Sequence, residues 1–249
     1  MKVKVLIVLL IIIVIGLGVL LGMKYIDGKE NKTVANEQTG EANSLNMIVV
    51  DEKPKEVPKS KYDTDTRTIA IVIDNVGDAV PQTGLNEAMI VYQAVAEGGT
   101  TRYLAVFKDS KIDQIGPCRS ARPYFIDYAL ENDSIFVHYG GSDKALAEVK
   151  SLQIDNANGI ESPGKVFSRT NKKKAPHNAL VSIKEVWNYA GVKKYRTATN
   201  QRNVLNYVVD ELELENGIDA VNVNIPYNID KVKFVYNAEK KLYERYVRK

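Results

Sequence analysis

The run Thr68-Ile69-Ala70-Ile71-Val72-Ile73 is continuous, apolar and rich in β-branched residues, and it closes on Asp74-Asn75. A run of this length without polar alternation reads as a strand covered on both faces. Such a strand needs helices above and below it, which makes α/β the expected class. Polar residues just past a buried strand stand where open α/β sheets make ligand contacts, or they simply turn the chain.

The segments that follow fit that class. Leu85 to Met89 is a candidate short helix. Ile90 to Ala96 and Arg102 to Phe107 read as strands joined through Glu97-Gly98-Gly99-Thr100-Thr101, a hairpin composition. Glu97 and Arg102 flank that turn. They are either a surface pair worth under about 1 kcal/mol or a carboxylate beside an anion clamp. Tyr124 to Glu131 has helical spacing, with Phe125, Tyr128 and Ala129 on one face. Ser134 to His138 reads as a strand, Asp143 to Val149 as a helix, and Gly164 to Arg169 as a further strand. Ser182-Ile183-Lys184-Glu185 matches a capping box opening a helix that Gly191 should stop. Leu205 to Leu214 is a candidate helix, and Ala220 to Ile225 alternates as a half-buried strand. Val232 to Tyr236 and Lys241 to Tyr246 read as a terminal hairpin whose Tyr243, Arg245 and Tyr246 leave an edge open. The expected architecture is α/β: a mixed sheet flanked by helices, with a small β-rich C-terminal annex that looks truncated.

Ile115-Gly116-Pro117-Cys118-Arg119-Ser120-Ala121-Arg122-Pro123-Tyr124 carries the most chemistry. It places two arginines three apart at a helix start, with Ser120 as expected N-cap and Pro123 in the first turn. Exposed N–H groups there favour an anion, and guanidiniums add forked donors for carboxylate or phosphate. His138-Tyr139-Gly140-Gly141-Ser142 is a strand–glycine–helix turn of the kind that offers backbone N–H groups to a ligand. It lacks the spacing of a dinucleotide or nucleotide-triphosphate fingerprint, so no such cofactor is expected. His138 and His177 are the two histidines. With Asp74, Glu97 and the arginines they could supply a base, an acid and an anion clamp. Neither has local metal-ligand spacing, and no metal is expected. The Lys172-Lys173-Lys174 run is a solvated loop or a basic lip for an anionic polymer.

Composition removes several classes. A net charge of +3 over 249 residues is too small for a bulk polycation, so a nucleic-acid partner is not favoured. One cysteine, Cys118, allows no intramolecular disulfide. Val5 to Met23 is an apolar run of 19 residues preceded by Lys2 and Lys4. It reads as a single-pass signal-anchor (residues 1–26) with the N-terminus cytoplasmic and the rest of the chain outside; a cleaved signal peptide is the alternative. Residues 27–66 are polar and charged with Pro54 and Pro58, a tether composition. The main domain is expected over 67–200 and the annex over 201–249.

Ile73-Asp74-Asn75, Pro81 to Leu85, Glu97 to Arg102, Ile115 to Pro123, His138 to Ser142 and Ala175-Pro176-His177-Asn178, in this order, resemble the YerB-like lipoprotein family, a bacterial envelope family with no assigned activity. The resemblance runs from Thr68 to the end. It departs from that pattern at three places. No lipobox cysteine follows the apolar run, so a transmembrane anchor takes its place. Met89 and Gln93 stand where relatives carry acids. The chain stops inside the β-rich C-terminal part. Three readings follow. The first is a membrane-anchored extracytoplasmic domain that binds an anionic envelope polymer through Asn75, Arg102, Arg119, Ser120, Arg122, Gly140, Gly141, Ser142, Arg169 and Asn178. The second is an envelope hydrolase or transferase with His138 or His177 as base beside Asp74 and Glu97. The third is an inactive truncated copy.

Overall fold

The computed structural model describes residues 60–161, 164–207, 217–229 and 231–248. The expected anchor at 5–23 and most of the expected tether lie outside these residues. Among the described residues no helix is long and apolar enough to cross a membrane. The end of the expected tether is built into the fold: Thr66 bridges Ala198, and the Tyr62 ring lies 4.8 Å from that of Tyr207.

Five strands form the main sheet in the order β2-β3-β1-β4-β5: β1 (Ile69–Asp74), β2 (Ile90–Val95), β3 (Thr101–Phe107), β4 (Ile135–His138) and β5 (Asn156–Asn158). β1 and β2 are antiparallel to β3, whereas β4 is parallel to both β1 and β5. The sheet is therefore mixed, and all six residues of β1 are buried. Side-chain alternation divides the core in two. Ile69, Ile71 and Ile73 face one layer with Tyr103, Phe107 and Val137, covered by helix α3 (Ile183–Lys193). Ala70 and Val72 face the other with Leu104 and Phe136, covered by α1 (Pro123–Glu131) and α2 (Asp143–Ser151). Fully burying such aliphatic or aromatic side chains stabilises by about 1.5–3 kcal/mol each. A two-stranded ribbon, β6 (Phe167–Arg169) with β7 (Ala179–Val181), supports the first layer.

A small antiparallel sheet, order β10-β9-β8, closes the chain: β8 (Asn222–Pro226), β9 (Lys231–Asn237) and β10 (Leu242–Arg248). It docks on the β2–β3 hairpin. Arg245 Nη2 donates to Gln93 Oε1 at 2.9 Å, and Tyr227 Oη donates to the Gln93 carbonyl at 3.3 Å.

Several local expectations are corrected. Ser120 does not cap α1; Arg122 occupies that position without a side-chain bond, and Pro123 opens the helix. α3 runs through Gly191 and ends at Lys194, which adopts a left-handed φ of 59°. Its start is as the sequence suggests, with Ser182 Oγ accepting from the Glu185 N–H at 3.3 Å. β8 is exposed at every position rather than half-buried, because its alternating apolar residues meet no opposing layer. β5 and β7, three residues each, are too short to carry a legible period. The segment expected as a helix at 205–214 is not helical over 205–207, and its remainder lies outside the described residues.

Candidate functional site

The segment Ile115–Arg122 is inserted between the ends of β1 and β4. Those strands pair only from Ile69–Ile71 to Ile135–Val137. Beyond that, Cys118 bridges Ile73, and Asp74 donates its N–H to the Pro117 carbonyl at 2.9 Å. On the other side Tyr139 donates to the Arg119 carbonyl at 2.9 Å and Ala121 donates to that of Gly140 at 2.9 Å. Gly116 allows this threading. Its φ is 154°, and a Cβ there would meet the Ala179 carbonyl oxygen at 2.6 Å.

The insertion delivers Arg119 to Asp74. Asp74 is 1% exposed, and its Oδ2 lies 2.7 Å from His177 Nδ1 and 3.1 Å from Arg119 Nε. The arginine contact is charge against charge, without the alignment of a hydrogen bond. His177 reaches this carboxylate from the loop between β6 and β7. A carboxylate can only accept when ionised, so Nδ1 carries the proton and Nε2 is left as the basic nitrogen. Around this pair Gln82 Nε2 donates to the Asp74 carbonyl at 3.0 Å and to Asn75 Oδ1 at 2.9 Å. Asn75 Nδ2 donates to Thr101 Oγ1 at 2.7 Å. Gln93 donates to the same hydroxyl at 3.0 Å and, through its own contacts with Arg245 and Tyr227, ties the site to the C-terminal sheet.

Arg102 stands opposite Asp74 in the β1–β3 register. Its Nη2 donates to Glu97 Oε2 at 3.1 Å, and Arg122 Nε bonds the other Glu97 oxygen. The Arg122 hydrogen bond is the main cause holding the Glu97 carboxyl down at about 2. Burial lowers the Arg102 pKa from its ordinary value, with the nearby Arg122 charge acting the same way and Glu97 opposing. Glu97 thus occupies the Arg102–Arg122 pair from within the molecule.

His138 is not part of this cluster. It ends β4, the inserted segment separates it from Asp74, and its Nδ1 bonds the Gly140 carbonyl at 2.8 Å. Burial lowers its pKa, against the Gly140 carbonyl and the Asn156 side chain. Gly140, Gly141 and Ser142 do not form an open cradle. The Gly140 N–H donates to Asn158 Oδ1 at 2.9 Å, Gly141 packs on Leu146 and Ala121, and Ser142 caps α2. Ser120 Oγ donates to the Tyr139 carbonyl at 3.1 Å. Cys118, 1% exposed, is an apolar filler whose thiol pKa burial pushes up.

Arg169 and Asn178 belong together: Arg169 Nη1 donates to Asn178 Oδ1 at 2.6 Å, and Nη2 donates to Tyr139 Oη at 3.0 Å. Arg169 also lines a cavity of about 610 Å³ with Thr83, Pro117, Lys172 and Lys173, and no carboxylate is among its lining residues. Its lining residue Pro117 accepts the Asp74 N–H at 2.9 Å, and Thr83 follows Gln82 in the chain. Gln82, Thr101 and the cavity residues Thr83 and Pro117 were not identified from sequence as site residues; only the Pro81–Leu85, Glu97–Arg102 and Ile115–Pro123 blocks hinted at them. Among the described residues no group of three His, Cys, Asp or Glu side chains could hold a metal.

Comparison with known proteins agrees with this frame. The family model described as "Protein of unknown function (DUF3048) N-terminal domain" matches residues 35–196. The Bacillus subtilis (strain 168) protein named "Putative lipoprotein YerB" is 36% identical over 180 residues, covering 72% of this chain and 54% of the relative. This chain therefore spans about half the length of that curated relative. The crystal structure of YerB from Bacillus subtilis superposes with a TM-score of 0.66 at 32% identity, over 76% of this chain and 64% of that one. On these matches the chain belongs to the YerB-like family, whose shared part is the DUF3048 N-terminal domain.

Proposed function

We propose that this domain binds a multiply anionic envelope polymer along the line from Arg119 to Arg169, Lys172 and Lys173. The observation that carries the reading is the cavity of about 610 Å³ lined by three cations and no carboxylate, whose lining residue Pro117 accepts the Asp74 N–H. Arg102 and Arg122 share the Glu97 carboxylate, whereas the cations of the cavity face no carboxylate among its lining residues. A flexible polyanion suits a row of separate cations better than one small anion does. The relative's name includes the word lipoprotein. It fits an extracytoplasmic domain held at a membrane, for which Val5–Met23 is the proposed attachment here.

The test is retention of the full chain on immobilised polyglycerol phosphate at rising salt. Retention should fall steeply with salt, and Lys172→Glu with Lys173→Glu should abolish it. Retention indifferent to both would overturn the reading.

One observation favours a second reading, a hydrolase acting on the bound polymer. The 2.7 Å Asp74–His177 contact holds an imidazole with Nε2 available as general base. Phosphodiester or ester turnover lost in His177→Gln, with retention preserved, would establish it. Absence of turnover in the native chain would remove it.

A further inference from the structure

His138 borders a second cavity, of about 580 Å³, which runs along Ile154 to Asn158, including the edge strand β5, and is walled by α2. Its size lies in the range of small-ligand sites, about 300–1,000 Å³. The imidazole is 0% exposed. Its Nδ1 bonds a carbonyl oxygen, which only accepts, so Nδ1 carries the hydrogen and Nε2 is a lone-pair acceptor. That Nε2 is buried and makes no hydrogen bond of good geometry, although the Asn156 side chain lies beside the ring. An orphaned acceptor at full burial is costly, and a hydrogen-bond donor entering the cavity would remove the cost.

The walls indicate which donor. Leu146, Val149, Ile154 and the Tyr195 ring give apolar area, and Lys150 and Glu161 stand on the same wall with opposite charge. Asp155 is paired with Arg67. With Lys150 offset by Glu161 and Asp155 by Arg67, no net charge selects an ion, and His138 Nε2 calls for a donor. We propose that this cavity binds a neutral, hydroxyl-rich ligand of monosaccharide size, with one hydroxyl donating to His138 Nε2 and a sugar face resting on the apolar wall. The half-buried side chain of Asn156, which lies against the imidazole, shifts to admit that hydroxyl. This site is separate from the Asp74 cluster and stands or falls independently of the anion reading.

The two histidines make the test direct. Glucose and N-acetylglucosamine are titrated into the full chain, ¹⁵N-labelled on histidine, in a zwitterionic detergent. The His138 Nε2 resonance should move saturably at millimolar sugar while His177 stays still. Ala147→Trp, placed at an exposed wall position of α2, should weaken the effect by about tenfold or more. If that change disturbs the helix, Lys150→Trp closes the mouth from the next turn. Parallel shifts of both histidines, no shift of either, or a response unchanged in both tryptophan variants would show a hydrated cavity only and overturn the proposal.

Discussion

Two titrating side chains give this domain an acid response in two windows. Glu97 has a folded pKa of about 2 against an ordinary value of 4.5. Its contribution to stability is therefore present above about 4.5 and is lost as pH falls toward about 2. Glu97→Gln should lower the urea midpoint at neutral pH and flatten its decline below pH 4.5, the two proteins converging near pH 2. The effect is small, since the carboxylate is 60% exposed and screened by solvent. For His138 the fold favours the neutral form rather than the charged one, but the pH direction is the same. Its folded pKa lies below the ordinary 6.5, so the unfolded chain binds the proton first as pH falls through 6.5 and stability declines. His138→Gln should remove the part of the decline that begins there, measured by the same titration. The types of these residues were legible in the sequence, and so were their positions at strand ends. Their partners were not. Asp74 and His177 are 103 residues apart in sequence, and no local pattern joins them.

At the scale of elements, two glycines predict opposite outcomes. Gly191 lies exposed inside α3, and nothing stands within 4 Å of where its Cβ would be. Gly191→Ala should stabilise by about 0.5–1 kcal/mol, because the alanine has less backbone freedom to lose on entering the helix. Gly116→Ala puts a methyl 2.6 Å from a carbonyl oxygen at a φ of 154°. It should destabilise by about 1–3 kcal/mol, and it should loosen Arg119 from Asp74 as well. Thermal unfolding of the two variants checks both signs. Reading Gly191 as the helix stop failed for a physical reason. Glycine ends a helix only where the chain needs a left-handed residue, and here Lys194 supplies it. The capping serine at 182 was readable because an N-cap bond spans three residues.

Across the whole molecule, Arg67 ties the start of the described fold to its middle and its end. Its Nε donates to the Asp133 carbonyl at 2.7 Å and its Nη1 to the Arg196 carbonyl at 3.1 Å, while Nη1 also pairs with Asp155. Arg196 binds Asp133 in turn through two nitrogens, at 2.8 and 2.5 Å. Arg67→Met would leave Asp133 and Asp155 without this buried cation. A loss of about 1–3 kcal/mol is expected, since two carbonyls lose a donor and Asp155 its cation while Asp133 keeps Arg196 and Thr199. Equilibrium urea unfolding measures it, and a loss under about 1 kcal/mol would mean that water compensates the carboxylates.

The sequence by itself determined the α/β class, the buried first strand, the hairpin that follows it and the helix faces. Each of these rests on periodicity or caps that act over a few residues. Only the tertiary structure decided which charged groups meet. The Ile115–Arg122 insertion parts the ends of β1 and β4, so His177 reaches Asp74 while His138 is turned into a separate cavity. Strand register and long-range loop placement set those encounters, and both come from packing the two layers around β1 rather than from any short pattern of residues.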